Sequence, residues 1–471
     1  MAYDLVIRGG RVVTGGAVVE ADIAVTAGRI AALGHGFDGA EVVGAEGLLV
    51  TPGGVDPHCH IEQMSGMGLM NADTFETATR SAAMGGTTSL ISFAAQAKGQ
   101  RLNDAVADYA ARAARGAAVD HAFHISVSDP SVPAFEEDLR ALIAAGHRSI
   151  KVFTTYNIKL EDADILGILR IAGEAGALTC IHAENDAIIA AARARLLAEG
   201  RTRPIDHAAS RPREAEIEAV ARMCRLAEVA GAPVMIFHVS TAEAVAEIAA
   251  ARARGAPIWA ETCPHYLFQT EAVLDRPGME GAKWMCSPPQ RTEADQAALW
   301  AGLAAGHLQL VSSDHAPYRY DETGKFSNGP DAPFPAIANG MPGLEPRLPL
   351  MFDAMVSGGR LGEAGFARLT AEAPADLYGL PGKGRIAPGC DADLVLWDPA
   401  RAVTYGADDL HDNVGYNPWE GRRVTGWPVA TFLRGQAVMR EGDYLGQPGA
   451  GRWLKRAAIG TRREDITGEA S

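Results

Sequence analysis

The chain carries a His-x-His pair, His58-Cys59-His60, directly after Gly53-Gly54-Val55-Asp56-Pro57. Side chains at i and i+2 of an extended segment point to the same side, so both imidazoles can reach one metal ion. Cys59 should then face the other way. Such a pair is weak alone, because short motifs recur by chance. Three further residues change its weight: His182 closes one apolar run, His238 closes another, and Asp314 follows a third in Ser312-Ser313-Asp314-His315-Ala316-Pro317. A histidine at a single strand end can be a packed side chain bonded to a backbone carbonyl. Imidazoles at three strand ends with an aspartate at a fourth read instead as a metal-ligand set. Nitrogen and carboxylate donors suit zinc, with manganese or cobalt as alternatives.

Lys151 ends a further apolar run, Ser149-Ile150-Lys151-Val152-Phe153-Thr154. A buried ammonium there is costly. The plainer account is a lysine that snorkels out of the barrel mouth or pairs with an acid. Two nearby divalent cations would repel it, whereas its CO₂ adduct, a carbamate, is an anionic oxygen ligand able to bridge both. Spacing does not choose between these accounts.

The elements that position these residues follow from the apolar pattern. Strands are predicted at 48–55, 88–94, 121–127, 149–154, 178–182, 233–239, 257–262 and 308–313, as near-continuous apolar runs of the kind covered on both faces. Ala-rich helices are expected between them at 74–84, 102–115, 134–145, 163–175, 213–230, 241–254 and 292–305. Alternating βα units in this number predict an α/β fold, a closed (β/α)₈ TIM-type barrel whose reactive residues collect at the C-terminal strand ends. Residues 1–51 and 380–455 have short strands and glycine turns, and neither segment is self-sufficient. Together they are expected to form a small β-sandwich domain, leaving 52–379 for the barrel and 456–471 for a charged C-terminal tail.

Composition narrows the partners. Lys plus Arg number 43 against 58 Asp plus Glu, a formal net charge of −15, so no nucleic-acid or anionic-lipid partner is expected. The six cysteines include no Cys-x-x-Cys pair, and the start of the chain has no secretory pattern. A cytoplasmic location is the expectation, with no membrane span.

The set His58, His60, Lys151, His182, His238 and Asp314 resembles that of the amidohydrolase superfamily, and more narrowly the hydantoinase/dihydropyrimidinase family of cyclic amidohydrolases. Supporting stretches are Thr51–Asp56, Gly85-Gly86-Thr87-Thr88, Glu261-Thr262-Cys263-Pro264, Cys286–Arg291 and Asn339–Glu345. The resemblance runs from the first barrel strand to about residue 445. It implies two divalent metal ions: His58 and His60 on the buried one with Asp314, His182 and His238 on the more exposed one, and carboxylated Lys151 between them. It also assigns Tyr156 to the developing oxyanion, and the backbone groups of Ser287 and Asn339 to the amide or imide edge of the ring. For Tyr156 the plainer account is a wall residue, and for Ser287 and Asn339 it is turn chemistry beside Pro and Gly.

The implied reaction is ring opening of hydantoins or 5,6-dihydropyrimidines to N-carbamoyl amino acids. Asp314 would take a proton from the attacking water and return it to the departing nitrogen. Allantoinase or cyclic imide hydrolase activity on the same scaffold is the nearest alternative; a non-catalytic dihydropyrimidinase-like scaffold protein is a remoter one, since every expected ligand is present. Dihydroorotases usually have arginine where this chain has Glu62, which argues against dihydroorotate. The loop Ile61–Met70 holds three methionines and no aromatic residue, which fits either an altered ring-substituent preference or simple loop packing. His265 and His315 are expected to make structural hydrogen bonds, and Gly382–Ala387 is no dinucleotide fingerprint, lacking its strand and helix. Family resemblance further implies a homotetramer, with a homodimer as the alternative.

Overall fold

The structure, a computed structural model, describes residues 2–459. The chain opens with five short strands: β1 (Tyr3–Thr14), β2 (Ala17–Thr26), β3 (Arg29–Gly34), β4 (Gly39–Gly44) and β5 (Leu49–Pro52). Eight strands then alternate with helices: β6 (Gly54–Cys59), β7 (Thr87–Ala95), β8 (Asp120–Ser126), β9 (Ser149–Phe153), β10 (Leu178–His182), β11 (Val234–Ile236), β12 (Ile258–Thr262) and β13 (Leu310–Val311). Four more complete the set, β14 (Leu394–Thr404), β15 (Arg423–Leu433), β16 (Gln436–Arg440) and β17 (Asp443–Tyr444).

Strands β6 to β13 pair in chain order as one parallel sheet. This is the (β/α)₈ arrangement expected from the apolar runs. The two edges meet without a regular ladder. A parallel bridge joins Cys59 to His315, and His60 N donates to His315 O at 2.6 Å. Below that contact the fully buried Arg347 donates to Val55 O at 3.2 Å and Val311 O at 3.0 Å, linking the first strand to the last through a side chain. The barrel interior is filled by Val55, Phe93, Cys180, Met235, Phe237 and Leu310, with Tyr378 packed against them. It is a packed core that fixes the strand ends.

The first barrel strand corrects the sequence expectation. Residues 48–55 do not form one strand: Leu49–Pro52 belongs to the other sheet, pairing with β14 and β1, and only Gly54–Cys59 is in the barrel. The switch occurs at Gly53, where an added Cβ would lie 2.2 Å from Thr88 Oγ1. Only glycine lets the chain pass from one sheet to the other this close to β7.

The terminal strands form a mostly antiparallel sheet in the order β17-β16-β15-β14-β5-β1-β2-β3, with β4 alongside β1. Leu5, Ile7, Ile23, Val25, Val50, Leu394, Leu396 and Phe432 pack together, so this sheet wraps a core of its own, apart from the barrel's. The two bodies are clasped by Lys383, whose Nζ meets Asp120 at 2.6 Å on the barrel and Asp393 at 2.8 Å beside β14. This is the lysine of the Gly382–Ala387 stretch, and its role is structural. Residues 451–459 return to the barrel, where the buried Arg456 donates to Ser149 Oγ and Phe123 O, both at 2.6 Å. The expected tail therefore starts in packed chain, and residues 460–471 lie outside the described residues.

The seven predicted helices are present, within a residue or two of their expected ends. Two more, Asp186–Ala198 and Pro204–Ser210, fill the interval before Arg213–Ala230 that the sequence pattern left blank. Among the described residues no helix is long and apolar enough to cross a membrane.

Candidate active site

The C-terminal strand ends open into a cavity of about 360 Å³ lined by His58, His60, Lys151, His182, His238, Asp314, Tyr156, Ser287 and Asn339, among others. Every residue singled out from the sequence as a ligand or substrate contact is thus on one wall system. Three of them stand on strained backbone: Tyr156, His238 and Asp314 have φ of 72°, 40° and 47°. The left-handed region costs a non-glycine residue about 1–3 kcal/mol, and such strain concentrates where side-chain aim matters more than stability.

The imidazoles are held in a consistent way. His58 donates through Nδ1 to the Glu261 carboxylate, leaving Nε2 at 3.0 Å from Asp314 Oδ1. His60 donates through Nδ1 to Gln63 Oε1 at 2.6 Å, leaving Nε2 at 3.4 Å from the same Asp314 oxygen. His182 donates through Nε2 to Glu184 Oε2 at 2.7 Å, so Nδ1 is its open nitrogen. In each ring one nitrogen is tied to an acceptor and the other is turned toward the cavity, in His58 and His60 against Asp314. That is how metal-binding histidines are oriented and made more basic. His238 Nδ1 is buried without a hydrogen-bond partner. His58, His60 and Asp314 each place a donor atom within 4.8 Å of the others. The donor set fits divalent cations. Cys59 points away, its Sγ donating to Ile91 O at 3.6 Å.

Charge follows the same pattern. Burial pushes His182 down to about 4 and His238 well below the usual imidazole range, so both rings are neutral donors. Burial acts against Asp314 ionising, but the His58 imidazole, itself raised by Asp314 and Glu261 against its burial, and a hydrogen bond from His60 outweigh it and hold the carboxyl well below the carboxylate range. Glu184 is likewise held down to about 2, its burial outweighed by Arg211 and His182.

Lys151 is 1% exposed, and among the described residues no acid forms an ion pair with it, although Asp314 and Glu261 are close enough to act on its charge. Its Nζ lies 4.0 Å from the Phe237 ring centre and 4.7 Å from that of Phe153. Burial brings the amine down to about 7. Neither snorkelling nor acid pairing describes this side chain. An amine that is partly neutral at working pH is nucleophilic toward CO₂.

The ring-binding candidates meet one another. Asn339 Nδ2 donates to the Ser287 hydroxyl and lies 3.4 Å from Tyr156 Oη. Burial raises the Tyr156 phenol to about 12, with the Arg211 guanidinium, 5.0 Å from the ring centre, pulling the other way. All three methionines of the loop are exposed; Met67 also lines the cavity, and Met64 and Met70 form an antiparallel backbone bridge. Glu62 turns away and accepts from Phe75 N at 3.0 Å. His315 bonds Asp73 at 2.9 Å and has a structural role, while His265 is buried with Nε2 unpartnered.

Sequence reasoning missed the residues behind the ligands: Gln63, Glu184 and Arg211, and the part played by Glu261. Alternation could have found Glu184, two residues past His182. Arg211 gave no signal, because its approach to Tyr156 depends on the helices Asp186–Ala198 and Pro204–Ser210, which the sequence pattern left blank.

Comparison with known proteins agrees with this geometry. Residues 49–438 match the model of the amidohydrolase family. The chain is 41% identical over 467 residues to a D-hydantoinase of Streptomyces coelicolor, covering 97% of this chain and 99% of that protein. It is 39% identical over 464 residues to a D-hydantoinase of Geobacillus stearothermophilus, covering 98% of each. The crystal structure of dihydropyrimidinase from Brevibacillus agri superposes with a TM-score of 0.94 at 38% identity, covering 97% of this chain and 99% of that one.

Proposed function

The chain belongs to the amidohydrolase family, in its hydantoinase branch, and from that premise we propose that the cavity opens hydantoin or 5,6-dihydropyrimidine rings to N-carbamoyl amino acids. The observation that carries this reading is the orientation of His58, His60 and His182, each tied at one nitrogen and turned toward the cavity at the other.

Two divalent metals, zinc by donor type with manganese or cobalt as alternatives, would be held by His58, His60 and Asp314 on one side and by His182 and His238 on the other, with carboxylated Lys151 common to both. When bound, they supply an acidified water and polarisation of the ring carbonyl. The chain's own residues do the rest. Ser287 and Asn339 hold the amide edge of the ring and orient its carbonyl. Tyr156 Oη donates a hydrogen bond to the carbonyl oxygen as negative charge develops there. An Asp314 carboxylate oxygen accepts the proton of the attacking water while the new C–O bond forms. It returns that proton to the ring nitrogen as the C–N bond breaks, so that nitrogen leaves as the neutral NH₂ of the carbamoyl group.

A cytoplasmic homotetramer, with a homodimer as the alternative, completes the proposal. Six free, buried cysteines support a reducing compartment. The test is turnover by protein supplied with zinc and bicarbonate, on hydantoin, dihydrouracil, allantoin and succinimide, with the ring-opened carboxylic acid of each quantified by chromatography. Hydantoin or dihydrouracil is expected to turn over fastest. Turnover of none would contradict the reading, and preference for allantoin or succinimide would move the chain to another branch.

A further inference from the structure

Lys325 is fully buried, in the loop after Asp314, and takes no part in the chemistry above. Its Nζ donates to two backbone carbonyls, Ala338 O at 2.7 Å and Gly340 O at 2.6 Å. These are the carbonyls on either side of Asn339. No acid forms an ion pair with the amine among the described residues; its surroundings are Cys286, His207 and the Tyr318 ring, whose centre is 6.0 Å away. Burial brings the amine down to about 7. A neutral amine still has two N–H donors and an ammonium three, so both carbonyls are satisfied in either state.

The segment held this way has no helix or strand of its own at residues 338–340. Its other side is pressed against the barrel: Gly340 N donates to Met285 O at 2.8 Å, and Ala316 N donates to Met341 O at 3.0 Å. Gly340 has φ of +144°, and an added Cβ would lie 2.4 Å from Ala316 O, so the backbone passes where only glycine fits. Between these anchors the Asn339 side chain reaches Ser287 and Tyr156. A backbone without ladder hydrogen bonds keeps such an aim only if its carbonyls are tied down, because buried, unpaired carbonyls would otherwise seek other partners.

We propose that Lys325 is a positioning residue for ring binding: by gathering the Ala338 and Gly340 carbonyls on one amine, it fixes Asn339 against Ser287 and Tyr156 at the cavity wall. It sets affinity for the ring and leaves the rate of its opening to Asp314 and the Tyr156 hydroxyl. This rests on the reading of the cavity as a cyclic-amide site.

The test compares wild-type holoenzyme with Lys325→Met and Lys325→Gln, using hydantoin and dihydrouracil, with metal content and circular dichroism recorded for each. Lys325→Met is expected to raise KM at least tenfold while kcat stays within threefold and metal content is unchanged. Lys325→Gln keeps one donor group and should show a smaller shift of the same kind, and it decides the matter should the methionine variant not fold. An unchanged KM in a folded variant would overturn the proposal, as would kcat falling together with metal content. Failure of both variants to fold would overturn it too, by making the amine a condition of the fold. A wild-type enzyme inactive on both substrates would instead defeat the underlying functional reading.

Discussion

Glu184 accepts a hydrogen bond from Nε2 of His182 at 2.7 Å, which leaves Nδ1 as the only nitrogen of that ring able to meet a cation. The same carboxylate accepts from Arg211, whose guanidinium lies 5.0 Å from the centre of the Tyr156 ring. One buried acid therefore couples a proposed metal ligand to the proposed oxyanion donor. Replacing Glu184 with glutamine removes the charge that orients and enriches the imidazole. Partners of this kind are worth about 10–100-fold in metal affinity. Metal titration of Glu184→Gln should show one of two equivalents weakened by that factor. Unaltered affinity for both would separate Glu184 from the site.

Tyr156 is expected to act as a neutral donor. Its phenol is pushed up to about 12, so the proton is retained through pH 10, where an ordinary tyrosine is half ionised. Donation is lost only as pH rises toward the folded value, so no alkaline limb of kcat near pH 10 belongs to this residue. Tyr156→Phe should lower kcat by about 10²–10³-fold with metal content intact, the usual cost of one oxyanion donor. A wild-type limb near pH 10 that vanishes in the phenylalanine variant would contradict this assignment.

Lys383 is a structural counterpart to Lys151, since both are buried but only Lys383 is surrounded by acids. It meets Asp120, Asp393 and Asp391 at 2.6, 2.8 and 3.0 Å where the terminal sheet joins the barrel. Lys383→Met leaves those carboxylates facing one another in a buried place. A loss of about 3–5 kcal/mol in denaturant unfolding is expected, as for breaking a buried ion pair from one side. Specific activity of the folded variant should not change, because the cluster is remote from the cavity lining.

How much of this was legible in the sequence depended on range. His58 and His60 announced themselves by period-two spacing, and His182, His238 and Asp314 by closing apolar runs. The barrel followed from the rhythm of those runs. What the pattern could not supply was contact between distant segments. The exchange of sheets at Gly53 looks like one apolar run, because Leu49–Pro52 and Gly54–Cys59 are both fully buried. The Glu261 partner of His58 lies 203 residues away, and Lys325 shows its role only once Ala338 and Gly340 fold over it. Local periodicity carries no information on such pairings, which are set by tertiary packing.

The central claim is that the amine of Lys151 becomes an anion shared by two cations, and ¹³C NMR of the holoenzyme prepared with labelled bicarbonate tests it most directly. About one carbamate carbon per chain is predicted, accompanied by two equivalents of metal, with both signals lost in Lys151→Arg. A holoenzyme that holds two metals without that resonance, or an arginine variant that retains it, would contradict the account.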